Sequence, residues 1–365
     1  WSRGLGDVYK RQMKPAAIRL GDLSVGYLHS LADAVDHLGH ASQPLLEHYG
    51  FDAARLAEPR ARLSIPRYMH LGHAAIALTG EPALGLLMGR FAYLHRLGLA
   101  GIAATQAPTV REAARTLIRF EALYASNYRG RSSLQEDSGG AWLHFHSIGP
   151  YNAYNRFVVD TVLAAWLQQL GALAQTPLTA QALQLEFTAP DYAERYPLEF
   201  GCPPAFAADF NGLRLDQHAL NVRNPLHCPG TWNELLQLCE GELQRLTRPQ
   251  NMRDRVIQLL GPRLHGREPD MDDIARQLQL PAWTLRRRLA EESTRFSAIV
   301  NETRRDLAVA YVRDTELSFG EIAYLLGFAS AEAFQRAFKR WLKHPPGEMR
   351  RSYRQTGNSA SESIK

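Results

Sequence analysis

The chain has 365 residues, 45% of them hydrophobic and 22% charged, ordinary values for a globular protein with room for two domains that each bury a core. Cys202, Cys228 and Cys239 form no CxxC pair, and their odd number argues against a disulfide framework and fits a reducing cytoplasm. No uninterrupted apolar run reaches the roughly 18–20 residues a membrane helix needs: residues 157–167 are interrupted by Asp160, and residues 74–88 by Glu81-Pro82.

The formal net charge of +5 is unevenly spread. Residues 248–354 carry 20 Lys+Arg against 14 Asp+Glu, while the whole chain carries 42 against 37. The basic surplus therefore sits in the last third, where contact with a polyanion would need it.

At the N-terminus, Asp7-Val8-Tyr9-Lys10-Arg11-Gln12 reads as a translated transposon adapter and Met13 as a natural start, so residues 1–12 are set apart as an adapter artefact. Residues 13–232 read as an α+β domain. Helical periodicity covers residues 31–38, 68–79 and 110–124, the last after a Thr109 cap. Alternation around Ser133-Leu134 and over residues 141–146 predicts strands, residues 155–170 a helix, and residues 181–187 a further strand. Residues 233–250 read as a linker, 251–354 as an all-α domain, and 355–365 as a disordered tail.

In the first domain His144 and His146 share one face of a predicted strand. With no third ligand at a recognisable spacing, the pair suits a surface or pocket wall better than a metal. Tyr151, Tyr154 and Arg156 can line a small-ligand cavity, Arg156 pairing with a carboxylate. An ordinary loop entering a helix fits the same run. Cys202 has no adjacent base and reads as packing. No GxGxxG, P-loop, GxSxG or HExxH is present, so no enzyme active site and no cofactor are expected.

The last third repeats itself. Ile274-Ala275-x-x-Leu278-x-Leu280 returns 48 residues later as Ile322-Ala323-x-x-Leu326-x-Phe328. Each copy is followed by a break and a second, arginine-rich amphipathic stretch. Met252–Leu260 is an amphipathic helix that Gly261-Pro262 stops, and Asp270 caps the next. Pro281 suits the first turn of the third helix, on which Ala282, Leu285 and Leu289 face a core and Trp283, Arg286 and Arg287 face away. Residues 296–313 form a long connecting helix. Ser318 with Glu321 makes a capping box, Gly327 the turn, and Ser330 the cap of a last helix with a core stripe of Phe334, Ala337, Phe338 and Trp341. A short helix, a tight turn and a second basic helix is the helix-turn-helix plan for a DNA major groove. Two copies predict two reading heads joined by a long helix. The DNA-facing set is Trp283, Thr284, Arg286 and Arg287 on the first head. On the second it is Ser330, Ala331, Glu332, Gln335 and Arg336, with Lys339 and Arg340 suited to phosphates.

Residues 248–353 resemble the DNA-binding domain of the AraC/XylS family of bacterial transcription regulators. The likeness rests on Ile322-Ala323-x-x-Leu326-Gly327-Phe328, Phe334-x-Arg336-x-Phe338-Lys339-Arg340-Trp341 and Pro345-Pro346-Gly347-x-x-Arg350. It implies that Trp283, Arg286 and Arg287 reach bases from the first reading helix, and that Ala331, Glu332, Gln335 and Arg336 line the second. The first domain resembles the arabinose-binding-type domain of one branch of that family, the ornithine-utilisation-regulator type. That likeness rests on Gly80-Glu81-Pro82-Ala83-Leu84-Gly85-Leu86, Pro108-Thr109-Val110-Arg111-Glu112-Ala113, Phe200-Gly201-Cys202-Pro203, Asn211-Gly212-Leu213 and Asn224-Pro225-Leu226; it carries no binding residue across.

The expected function is a cytoplasmic, sequence-specific regulator, leaning to activation as the family does. Its expected partners are double-stranded DNA, RNA polymerase, a small-molecule effector and a second copy as a homodimer, with no membrane. The alternative is a regulator whose first domain only dimerises. An enzyme with a DNA-binding tail is disfavoured, since no nucleophile–base or metal constellation appears.

Overall fold

A computed structural model describes residues 21–58, 61–127, 130–147, 151–247, 251–260, 263–264, 269–315 and 317–351. The expectations for residues 1–12, Met13, Gly261-Pro262 and residues 355–365 lie outside it. The chain divides into two compact units at Pro249/Gln250.

The first unit is α+β. Strands β1 (Gly21–Ser24), β2 (Arg62–Ser64) and β3 (Ala125–Asn127) form a small antiparallel sheet in the order β2-β1-β3. Strands β4 (Ser133–Asp137), β5 (Gly140–Phe145), β6 (Ala182–Leu185), β7 (Pro204–Phe206) and β8 (Asn211–Asp216) form a second in the order β4-β5-β8-β6-β7. Its pairs are antiparallel except β6–β7. The register Leu134↔Leu143↔Leu213↔Leu183 lays a row of leucines across four strands, three of them almost wholly buried. A period-two pattern with one buried face yields this arrangement. Helices α1 (Gly26–His37), α2 (Ile65–Thr79) and α3 (Val110–Arg119) surround the sheets, with Thr109 capping α3 through the Glu112 amide.

Helix α4 (Ala153–Ala174) is the central rod of this unit. Asn152 and Asn155 form a reciprocal capping box at its start. Neighbouring backbones come close to it because glycine removes the obstruction: a Cβ on Gly85 would lie 2.8 Å from the Phe157 carbonyl oxygen, and one on Gly89 2.7 Å from Ala164 Cβ. The expectation of no span-length apolar helix needs correction. Residues 154–174 are long and apolar enough to cross a membrane, yet 89% of the apolar window is buried inside the domain. Asp160 does not interrupt the helix, because Tyr192 and Tyr196 donate hydroxyl hydrogen bonds to its carboxylate at 2.7 and 2.6 Å. A buried carboxylate is tolerated when its oxygens are satisfied in this way.

The stretch read as a linker also differs. Residues 233–247 lie within helix α5 (Pro229–Thr247), which packs on the same core. Cys239 is fully buried there, and Glu240 pairs with Arg119 of α3 at 2.6 Å. Apolar positions Leu235, Leu236, Cys239 and Leu243 recur at helical spacing, and burying that stripe outweighs the polar composition that suggested a linker.

The second unit is all helical: α6 (Met252–Leu260), α7 (Met271–Gln277), α8 (Ala282–Glu291), α9 (Phe296–Asp314), α10 (Phe319–Leu325) and α11 (Ala331–Leu342). Residues 346–351 add a last helical turn after Pro345. Val256, Ile274, Leu285, Leu289 and Ile299 share the core of the first head. Helix α9 gives Ile299 and Val300 to that core and also touches α10 and α11 of the second head.

Candidate nucleic-acid interface and sensor site

The two heads are the same device with a one-residue difference. Asp270 caps α7 by accepting from the Asp272 amide, and Ser318 caps α10 in a full capping box with Glu321. Each first helix closes with a left-handed residue, Gln279 (φ 54°) in one head and Gly327 (φ 68°) in the other. The Leu280 and Phe328 amides then return to the carbonyls of Ala275 and Ala323, both at matched positions. Beyond the turn the buried pairs Leu285/Leu289 and Phe334/Phe338 stand 49 apart rather than 48. The second turn is therefore one residue longer, and Pro281 answers Ser330 as the cap. Pro281 sits at the cap itself, one position before the first-turn site expected of it.

This register sets Trp283, Arg286 and Arg287 against Glu332, Gln335 and Arg336. All six are exposed. Trp283 keeps 66% of its surface in the open, and the Arg287 guanidinium lies 5.9 Å from its ring centroid. A tryptophan left uncovered with an arginine over its face suits a partner that takes both. Arg287 also reaches Glu291 at 3.6 Å, an exposed pair that contributes little. On α11, Ser330 Oγ accepts from the Ala333 amide at 3.2 Å, so this hydroxyl serves the cap. Hydrogen bonding with the Ser330 side chain, then with the Glu332 backbone amide, and last the Arg336 charge, holds the Glu332 carboxyl below its ordinary range. Lys339 and Arg340 are exposed, and Ala331 is half-buried.

One residue of the expected set is misplaced. Thr284 is only 8% exposed and lies beside Leu285 on the inner face of α8, so it belongs to the packing of the head. Ala282, read as facing the core, packs against it and is half-buried. The sequence reading also missed Tyr324 on α10, 61% exposed. Position 324 lies off the Ile322/Ala323/Leu326 stripe, and the same face argument finds it. Two arginines that swell the basic surplus turn inward. Arg304 is buried against the second turn, and Arg350 donates to the Val312 carbonyl at 3.3 Å and covers the Phe319 ring at 4.7 Å.

In the first unit the five residues expected to bind a ligand are not gathered. The Tyr151 hydroxyl is held by Glu186 and by Asn211 Nδ2, the latter at 2.6 Å. Tyr154 packs its ring on His73 and His70, centroids 4.2 and 5.1 Å away. Arg156 lies one turn before Asp160 and opposes the upward shift of that carboxyl. His144 stacks on Phe210 at 4.1 Å; burial, then the charge of His146, lowers its pKa and favours the neutral ring. His146 lies one residue past the end of β5. Among the described residues no group of three or more His, Cys, Asp or Glu is placed to hold a metal.

A void that the sequence did not signal lies elsewhere, between the small sheet, β5 and α4. It measures about 20 Å³ and is bordered by Leu23, Tyr27, Glu121, Phe145, Val162 and Trp166, among others. Glu121 takes the Ser132 amide at 2.9 Å and the Ser132 hydroxyl on its other oxygen, and burial raises its pKa.

Two helix-turn-helix heads behind an α+β domain define a DNA-binding transcription regulator. Known proteins agree. Residues 39–224 match the family described as "Arabinose-binding domain of AraC transcription regulator, N-term", and residues 274–352 match a "Helix-turn-helix domain" family. The chain is 30% identical over 331 residues to the ornithine utilization regulator of Pseudomonas aeruginosa, covering 89% of this chain and 95% of that protein. It is 23% identical over 324 residues to the regulator VirS of Mycobacterium tuberculosis, covering 88% and 94%. Among solved structures, the transcriptional regulator CdpR of Pseudomonas aeruginosa aligns with a TM-score of 0.41 at 26% identity, over 84% of this chain and 96% of that one. The chain belongs to the AraC family of transcription regulators, in the branch with the arabinose-binding-type N-terminal domain, and is not an enzyme.

Proposed function

We propose that the N-terminal domain binds a small metabolite and that this biases the grip of the two heads on an operator in the cytoplasm. The protein acts as a homodimer and activates transcription by placing RNA polymerase at the promoter. The observation that carries the reading is the matched outward arrays, Trp283/Arg286/Arg287 and Glu332/Gln335/Arg336, on two helices that each follow a tight turn in a repeated head. Arginine offers bidentate contacts to guanine, glutamine to adenine and glutamate to the cytosine amino group, while Lys339 and Arg340 suit phosphates. A metabolite can act only through unequal affinity for the two DNA-binding states. Ornithine is the first compound to try, because the relative matched over most of its length is an ornithine utilization regulator.

The test is footprinting of the full chain on DNA upstream of its own and adjacent genes, with and without a metabolite panel. Two protected patches about one helical turn apart, with affinity altered by one compound, are expected. Protection insensitive to every compound would favour a first domain that only dimerises.

A further inference from the structure

We infer that the void beside α4 is the effector site and that it accepts a compact aliphatic cation, with the ammonium on Glu121 and the apolar stem between Val162 and Trp166. The inference rests on the reading that this domain binds a small molecule, and it names the chemical class.

Charge is the first argument. Glu121 lies on the wall of the void, and no Lys, Arg or His shares that wall among the described residues. Its two oxygens each accept one hydrogen bond from Ser132, which leaves acceptor capacity on both, since a carboxylate offers about four lone-pair sites. Beyond these bonds the carboxylate feels only the Arg131 charge, the smallest of the influences on it and set off the wall of the void, so on the cavity side it is incompletely compensated. An ammonium supplies the missing charge and donors; a carboxylate ligand would add a second negative charge to a low-dielectric site.

Shape is the second argument. Phe145, Val162 and Trp166 give the void an apolar body, and Glu121, Ser126, Asn127 and Ser147 add a few polar groups to its wall, the usual form of a small-ligand pocket. At about 20 Å³ the void holds on the order of one water, so an aliphatic ligand must displace something. Tyr27 is the candidate, because it also borders a second void, one that Gln169 lines as well. Gln169 is 3% exposed, and its Oε1 has no hydrogen-bond partner among the described residues. Arg96, which borders the second void, is already paired with Asp33 at 2.6 Å. A turn of the Tyr27 ring toward Gln169 merges the two spaces and offers that orphaned oxygen a phenolic donor.

Thermal unfolding of the full chain tests this with three probes of one shape at equal millimolar concentration and ionic strength: n-butylammonium, butyrate and 1-butanol. Stabilisation by n-butylammonium alone is expected. Its apparent affinity should fall at least tenfold in Glu121→Gln, and also in Val162→Leu, which fills the void without touching the charge and serves if the Glu121 variant folds poorly. Stabilisation by butyrate or butanol that survives Glu121→Gln would overturn the cationic class while leaving ligand sensing in place. No stabilisation by any probe would overturn the void as a ligand site, and the wider reading would still be judged by operator affinity against the metabolite panel.

Discussion

Arg304 Nε donates to the carbonyl oxygen of Leu326 at 2.8 Å, and its Nη2 reaches the next carbonyl, that of Gly327, at 3.2 Å. The connecting helix thereby holds the tight turn of the second head, with the guanidinium 5.3 Å from the Phe328 ring. The carbonyls at the end of α10 have no helical partner of their own, and a buried arginine supplies one. Arg304→Ala is expected to cost about 2–3 kcal/mol, the scale for charge-assisted hydrogen bonds in a buried setting. Urea unfolding measures it. In footprints the protection by the second head should weaken before that of the first. Equal loss at both patches would show that the residue stabilises the whole unit rather than this turn.

Arg286→Ala and Arg287→Ala are each expected to weaken operator binding by about 1–3 kcal/mol while leaving binding to scrambled DNA nearly unchanged, as loss of a base contact does. Lys339→Ala should act differently, lowering affinity for all sequences and reducing the salt slope by about one. Thr284→Val, on the buried side of α8, should leave operator discrimination intact. Fluorescence anisotropy at several salt concentrations separates the three behaviours; retained discrimination in both arginine variants would remove α8 from the reading surface.

Gln279 holds the left-handed position that glycine fills in the second head. Side chains with a Cβ adopt this conformation at a cost of roughly 1 kcal/mol. Gln279→Gly is therefore expected to stabilise the DNA-binding unit by about 0.5–1 kcal/mol, read as a rise in the urea midpoint with the slope unchanged. A fall in stability would mean that the glutamine side chain contributes more than its backbone strain costs.

The heads were legible because their physics is local. Caps, a turn and an apolar stripe lie within twenty residues of one another, and Asp270, Ser318, Ser330 and the Leu285/Leu289 stripe all follow from spacing. Thr284 was misplaced because a helical face is a continuum and position 284 lies at the margin of the stripe. Arg304 and Arg350 were counted in the basic surplus available to a polyanion because nothing local distinguishes an inward arginine from an outward one. The first unit was less legible for the same reason at larger scale. Tyr192 and Tyr196 lie 32 and 36 residues from Asp160, so the compensation that lets α4 run through a carboxylate is a tertiary fact. Glu121, inside a stretch with helical periodicity, gave no sign that a sheet and α4 would close around it.

Asp160 also yields a pH dependence whose sign follows from its surroundings. It is 1% exposed, and burial pushes its carboxyl up from 3.8 to about 6, against the opposing pull of the Tyr196 and Tyr192 hydroxyls and the Arg156 charge. The folded state thus holds this proton more tightly than the unfolded chain. Its contribution favours folding below about pH 4, declines as pH rises toward 6, and is level above that. Asp160→Asn removes the titration and keeps a carbonyl oxygen for one of the two tyrosine hydroxyls. The variant should gain on the wild type between pH 4 and 6, by on the order of 2–3 kcal/mol in all, and the difference should stay constant from pH 7 upward. Paired denaturation curves across that range measure it. A difference that shrinks with rising pH would mean that the carboxylate form is the one the native domain prefers, with Arg156 outweighing burial.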